Sequence, residues 1–163
     1  MTIKVKNKHT LLFDEFKFKC CIGARGFTSN KHEGDKKTPT GFFSLGNLYY
    51  RGDKVPKPIT KLKCIKIKKN IVWCNDINNK FYNKEIKVKK RVKYEKLFRN
   101  DYKYDYLIPI KYNWQKPKKN KGSAIFIHLT KNYKPTAGCI ALSQKDFLIL
   151  AKLIKKNTKI KII

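Results

Sequence analysis

The chain has 163 residues, with 40 Lys plus Arg against 11 Asp plus Glu and a formal charge of +29. That length suits one domain able to bury about 70% of the surface its unfolded form exposes, and no stretch approaches the ~18 apolar residues of a membrane helix. The charge would attract any polyanion, yet the lysines are spread along the chain. Their local clusters at Lys66 to Lys69, Lys84 to Lys93 and Lys116 to Lys121 accompany abundant Asn, Ile, Tyr and Phe, as AT-rich coding produces.

In chain order, Ile3 and Val5 alternate with lysines, and Leu12 and the run Phe16 to Ile22 repeat the pattern, which predicts a β opening. Gly23-Ala24-Arg25-Gly26 breaks the strand. A polar loop through Asn30 to Asp35 follows, and Thr38-Pro39-Thr40-Gly41 leads into Phe42 and Phe43. Further strands are expected at Leu62 to Lys68, Ile71 to Cys74, Tyr106 to Tyr112 and Ser123 to Thr130, separated by turn-forming Asn, Asp, Lys and Pro. Lys84 to Arg99 has sparse apolar positions among charges and fits an exposed helix or an irregular strand pair. Ser143, with Asp146 three residues on, caps a helix carrying Phe147, Leu148, Leu150, Ala151 and Ile154. Ile160 and Ile162 alternate with lysine in a final strand over Thr158 to Ile163. The expectation is one mainly β domain over residues 1–163, with a helix near its C-terminal end.

Cys20, Cys21, Cys64, Cys74 and Cys139 form an odd set with no Cys-x-x-Cys pair, so reduced thiols are expected and neither a metal site nor a disulfide framework is indicated. Cys20 shares a strand face with Phe16, Phe18 and Ile22 and reads as core. No apolar signal core with a small-residue cleavage site opens the chain, so no export signal is expected.

The chemistry concentrates in Ser123-Ala124-Ile125-Phe126-Ile127-His128 and Thr136-Ala137-Gly138-Cys139-Ile140-Ala141-Leu142. A strand ending at His128 and a short loop with Pro135 and Gly138 can fold Cys139 back beside the imidazole. An imidazole can take the thiol proton and stabilise the thiolate, the reacting form. Gly138, lacking a Cβ, lets a substrate approach the Cys139 amide as an oxyanion donor. The bland reading of the same residues is a buried cysteine and a hydrogen-bonded strand histidine.

With these segments, Gly23-Ala24-Arg25-Gly26, Glu33-Gly34-Asp35 with Thr38-Pro39-Thr40-Gly41, Trp73-Cys74-Asn75-Asp76 with Tyr82-Asn83, and Arg99-Asn100-Asp101 with Tyr104-Asp105, the chain resembles the L,D-transpeptidase catalytic domain family, the YkuD type, over about residues 20 to 163. The resemblance implies a β-rich, sandwich-like fold and a cysteine enzyme of the cell envelope or periplasm. It implies action on peptidoglycan stem peptides without metal or organic cofactor. Cys139 is then the nucleophile and His128 the base, forming a thioester that passes to an amine or, as a carboxypeptidase, to water. Many members carry Ser-His-Gly-Cys and an Arg or Asn two residues past the cysteine, where this chain has Ala137 and Ala141. Carboxylate recognition then falls to another cation, Arg25 or Arg99, whose fork suits two oxygens.

Thr136, Asp105 and Tyr104 complete the candidate substrate-binding set. Asp76, Asp101 and Asp105 read equally as partners of His128 or of a substrate amine and as ion pairs holding loops. Trp73, Tyr104, Tyr112 and Trp114 read as groove lining or as core. His32, among charges, reads as a surface residue, and His9 has no functional context. Two further classes stay open: a nonenzymatic polyanion binder, for which no recognition motif appears, and a wall-binding protein with a dead site.

Overall fold

Period-two alternation of apolar residues with lysine builds the first strand, β1 (Thr2–Asn7), which buries Ile3 and Val5. Two hairpins continue it into β2 (Thr10–Phe13) and β3 (Phe16–Cys21) as an antiparallel meander. The computed structural model describes residues 1–88 and 90–163. The described residues also form β4 (Phe27–Thr28), β5 (Thr38–Pro39), β6 (Gly41–Ser44), β7 (Leu48–Tyr50), β8 (Cys64–Lys66), β9 (Ile71–Cys74), β10 (Glu85–Lys87), β11 (Tyr94–Lys96), β12 (Tyr106–Pro109), β13 (Phe126–Leu129), β14 (Ile140–Leu142), helix α1 (Gln144–Leu153) and β15 (Lys159–Ile162).

Among the described residues ten strands join one sheet in the order β6, β15, β1, β2, β3, β14, β13, β12, β7, β8. Most neighbours are antiparallel, but β1 with β15, β13 with β14 and β7 with β8 run parallel. The sheet curls back on itself. Leu45, just past β6, bridges Ile110, just past β12, and Gly46 N–H donates to Pro109 O at 2.7 Å. One core therefore takes Ile3, Val5, Ile160 and Ile162 from one half of the sheet and Leu48, Ile108, Ile127 and Leu129 from the other. Phe147, Leu150 and Ala151 of α1 are buried in it.

The helix starts where its cap dictates, since Ser143 Oγ accepts the Asp146 N–H at 3.1 Å. Asp146 in the first turn and Lys152 in the last complement the helix dipole. No helix among the described residues is long and apolar enough to cross a membrane.

The opposite face of β12 and β13 is covered by a three-stranded sheet ordered β10, β9, β11. Trp73 of β9 packs edge-on against Phe126 of β13 at 5.3 Å between ring centroids, and Tyr49, Leu97, Leu107 and Cys139 join this second core. Of the two readings open for Lys84 to Arg99, the strand pair holds, because β10 and β11 flank β9; Lys89 lies outside the described residues. The expected strand over Ser123 to Thr130 begins only at Phe126, because Gly122 (φ +92°) and Ala124 (φ +53°) take left-handed backbone that a strand cannot continue. Strands β4, β5, β7 and β14 were not expected from the sequence; β14 lies inside the segment read only for its cysteine.

Candidate functional site

Strand alternation places the reactive groups. Ile127 and Leu129 of β13 enter the main core, so Phe126 and His128 face the other way; Ile140 and Leu142 of β14 do the same, which turns Cys139 and Ala141 outward. The strands are parallel, with Ile127 opposite Ile140 and His128 opposite Ala141. His128 on β13 and Cys139, one residue before the adjacent β14, thus share one face, and both line a cavity of about 450 Å³. Glu95, Arg99, Lys103, Tyr104, Lys134 and Ala137 also line it.

The turn before β14 is built by one side chain. Thr136 Oγ1 donates to Cys139 O at 2.6 Å and accepts from Gly138 N at 3.1 Å. Gly138 stands at φ +142°, and a Cβ there would come within 2.8 Å of Lys37 O, so the position requires glycine. From behind, Thr38 Oγ1 donates to Gly138 O at 2.9 Å.

Cys139 Sγ accepts the Phe126 N–H and donates to Ala124 O, each at 3.3 Å. Burial pushes its pKa up to about 12 against the opposing Phe126 N–H bond, with Glu95 raising it further and Lys31 lowering it. His128 is also buried, which carries its pKa down to about 4; the Leu129 carbonyl opposes that shift and the charges of Lys103 and Arg99 reinforce it. The resting pair is therefore a neutral thiol and a neutral imidazole. Its tautomer follows from one contact: Nδ1 lies 3.0 Å from Leu129 O, and because a carbonyl only accepts, Nδ1 carries the proton and Nε2 the lone pair. Tyr104 packs edge-on against the imidazole at 5.3 Å between centroids and donates to Glu95 Oε1 at 2.9 Å, and burial raises its phenol pKa.

Of the residues singled out from sequence, Cys139, His128, Thr136, Tyr104 and Arg99 line this cavity. Gly138 shapes the turn beneath it. Arg99 is already committed, since Nε and Nη2 grip Asp101 at 2.9 and 2.5 Å and hold that carboxyl down to about 2. Arg25 is exposed and lies outside the lining. Asp105 is buried away from it, 3.5 Å from Lys54 Nζ. Asp76 accepts from Asn78 N and Lys93 N. The reading of these aspartates as partners of His128 gives way to that of loop ties, because Nδ1 is taken by Leu129 O. Trp73 is core, His32 and His9 are exposed, and Cys20 is fully buried.

Sequence reading missed Lys103 and Lys134, cations of the cavity that have no ion-pair partner among the described residues, and Glu95. It also missed Lys31, which is buried beneath the turn. Nothing marks these lysines among so many others. Glu95 lay in the segment Lys84 to Arg99, where helix and strand pair were both open, so nothing local turned its carboxylate toward the cavity.

The fold has relatives among solved structures. Bd1075 of Bdellovibrio bacteriovorus aligns with a TM-score of 0.52 at 16% identity, over 99% of this chain and 47% of that one. The helical cell shape determining protein Pgp2 of Campylobacter jejuni aligns at 0.49 and 16%, over 99% and 46%. The chain thus spans about half the length of each. No curated protein matches its sequence. The profile of the L,D-transpeptidase catalytic domain, YkuD, does match, over residues 2–162. A match that runs from the first strand to the last takes in β13 with its histidine and the turn into β14 with its cysteine, and the chain belongs to the L,D-transpeptidase catalytic domain family.

Proposed function

We propose that this chain, acting as one domain, transfers acyl groups of peptidoglycan stem peptides through a thioester on Cys139. The observation that carries the reading is the common face of His128 and Cys139 beside an open cavity, with Nδ1 tied to Leu129 O and Nε2 left basic. The thiol proton passes to Nε2 as Sγ attacks the donor carbonyl carbon. The scissile C–N bond then breaks, and the departing amine takes the proton back from the imidazole. The Cys139 amide is the donor for the oxyanion. A second amine, or water, attacks the thioester and regenerates the thiol. Because thiol and imidazole both rest neutral, the proton moves only as the substrate engages.

The donor's terminal carboxylate is assigned to Lys103 and Lys134 rather than to Arg25 or Arg99. Both lysines line the cavity without an ion-pair partner among the described residues, whereas Arg99 is held by Asp101 and Arg25 lies outside. A substrate of this class places the protein's work in the cell envelope.

The test is rapid-quench mass spectrometry of the protein with a tetrapeptide stem donor, with and without an amine stem. The expected result is an acyl adduct on Cys139, chased into cross-linked product by the amine and more slowly into free acid by water. Cys139→Ala and His128→Ala, and the two together, should each lose nearly all turnover with the fold intact. A faster chase by water at saturating amine makes the enzyme a carboxypeptidase, and near-normal turnover by Cys139→Ala removes the enzyme reading.

A further inference from the structure

Lys31 is a charged residue only 4% exposed, unusual for a side chain that normally stays in water unless paired. Its stem crosses Gly122 so closely that a Cβ there would meet Lys31 Cγ at 2.8 Å. Its ammonium ends under the nucleophile turn, where a Cβ on Gly138 would stand 3.6 Å from Nζ. Nζ donates to Asp35 Oδ1 at 2.5 Å and to His32 O at 3.3 Å. Asp35 is itself fixed, with Oδ2 accepting from His32 N at 2.9 Å and Oδ1 from Lys37 N at 2.8 Å. Lys37 O is the atom that a Cβ on Gly138 would meet at 2.8 Å, and Thr38 next to it holds Gly138 O. The same loop is anchored a second time, since Ser123 Oγ donates to Glu33 Oε2 at 2.8 Å and Tyr82 donates to that same oxygen.

We propose that Lys31 is a positioning residue of the site, its buried ammonium clamped by Asp35 under Gly138 so that the turn is fixed and a positive charge faces the thiolate and oxyanion as they form. It acts through the turn and touches no reacting atom, and it builds on the thioester reading above. The charge matters because of where it sits: Lys103 and Lys134 line the cavity side of the site, whereas Lys31 lies buried beneath the nucleophile turn. Glu95 and Tyr104 face Cys139 as a carboxylate and a neutral phenol and His128 rests neutral; Arg99 and Lys31 are both ion-paired, but Arg99 is 30% exposed and screened by water where Lys31 is 4%. An opposite charge within a few ångströms of an ionising group favours its charged form, more so away from water.

The test follows alkylation of Cys139 by iodoacetamide across pH 6–11, read by peptide mass mapping so that the other four cysteines do not interfere. It compares the wild type with Lys31→Met, Lys31→Arg and Lys31→Met/Asp35→Asn. The double variant removes both charges together, which a buried pair tolerates better than loss of one partner. In the two methionine variants, alkylation should fall about tenfold at each pH from 8 to 11, the change that a rise of about one unit in the thiol's pKa produces below its midpoint. Lys31→Arg should restore most of the rate. With a stem donor, kcat should fall while KM holds, since Lys31 does not contact the donor.

An unchanged alkylation profile in a folded double variant overturns the proposal, and so does a double variant that fails to fold, because Lys31 is then only structural. If the wild type alkylates as described but processes no stem donor, the thioester reading fails while the role of Lys31 stands.

Discussion

At the scale of single residues, the site combines two groups that burial drives toward neutrality. His128, held near a pKa of about 4, binds its proton more weakly in the folded state than in an unfolded chain, where the imidazole titrates near 6.5. Its contribution to stability is therefore complete above about pH 6.5 and is lost progressively as pH falls to 4, a change on the order of 3 kcal/mol. Cys139 acts at the other end. Its pKa is raised to about 12, so its contribution holds below the unfolded thiol value of 9.0 and is lost as pH rises from there through 12. Urea unfolding of the wild type and of His128→Gln between pH 4 and 8 checks the acid limb. The wild type should lose more stability on acidification than the variant, and parallel curves would refute the buried neutral imidazole. The same two groups were legible in the sequence because Cys and His are scarce types with known chemistry. Lys31 was not, because burial is a property of the fold and one lysine looks like another.

At the scale of elements, the short helix α1 depends on its first turn. Only Phe147, Leu150 and Ala151 are buried along it, and Ser143 Oγ satisfies an amide that nothing else in the helix can reach. Ser143→Ala should cost about 1 kcal/mol in chemical denaturation and leave the fold unchanged. Ser143→Asp should cost much less, and equal losses from both substitutions would mean that the cap bond contributes nothing. This cap was readable in advance, as were β1, β3, β9 and β15, because each carries a local period or a local hydrogen-bonding signal. β14 was not. Its three residues, Ile140, Ala141 and Leu142, are buried on both faces and show no alternation, and they form a strand because β3 and β13 pair with them from either side. β7, equally short and fully buried, depends on β8 and β12 in the same way. The face shared by His128 and Cys139 is thus a product of pairing register, which no single segment encodes.

At the scale of the whole molecule, the charge of +29 is far larger than the cavity needs. It creates a long-range attraction for polyanions that carries no sequence information. Binding to unrelated oligonucleotides and to anionic wall fragments should weaken steeply and linearly on a log–log plot as salt rises. Sequence-selective binding that survives about 1 M salt, where screening acts within a few ångströms, would instead promote nucleic-acid recognition to a function in its own right.

The sheet order also sets a timetable. Among the described residues β6 has its strand partner in β15, and β15 joins the rest of the sheet through β1. A ribosome making this chain can deliver β3, β12, β13 and β14, and with them the cysteine and the histidine, while β6 still lacks its ladder partner and is tied down where Ser44 O accepts from Lys111 N and Phe43 packs edge-on against Tyr112. Closure comes only when residues 159–162 emerge and slide between β1 and β6, strands made more than a hundred residues earlier. The newborn protein thus carries its reactive thiol before it has a finished shell, and for that interval β6 is an open template for any passing strand.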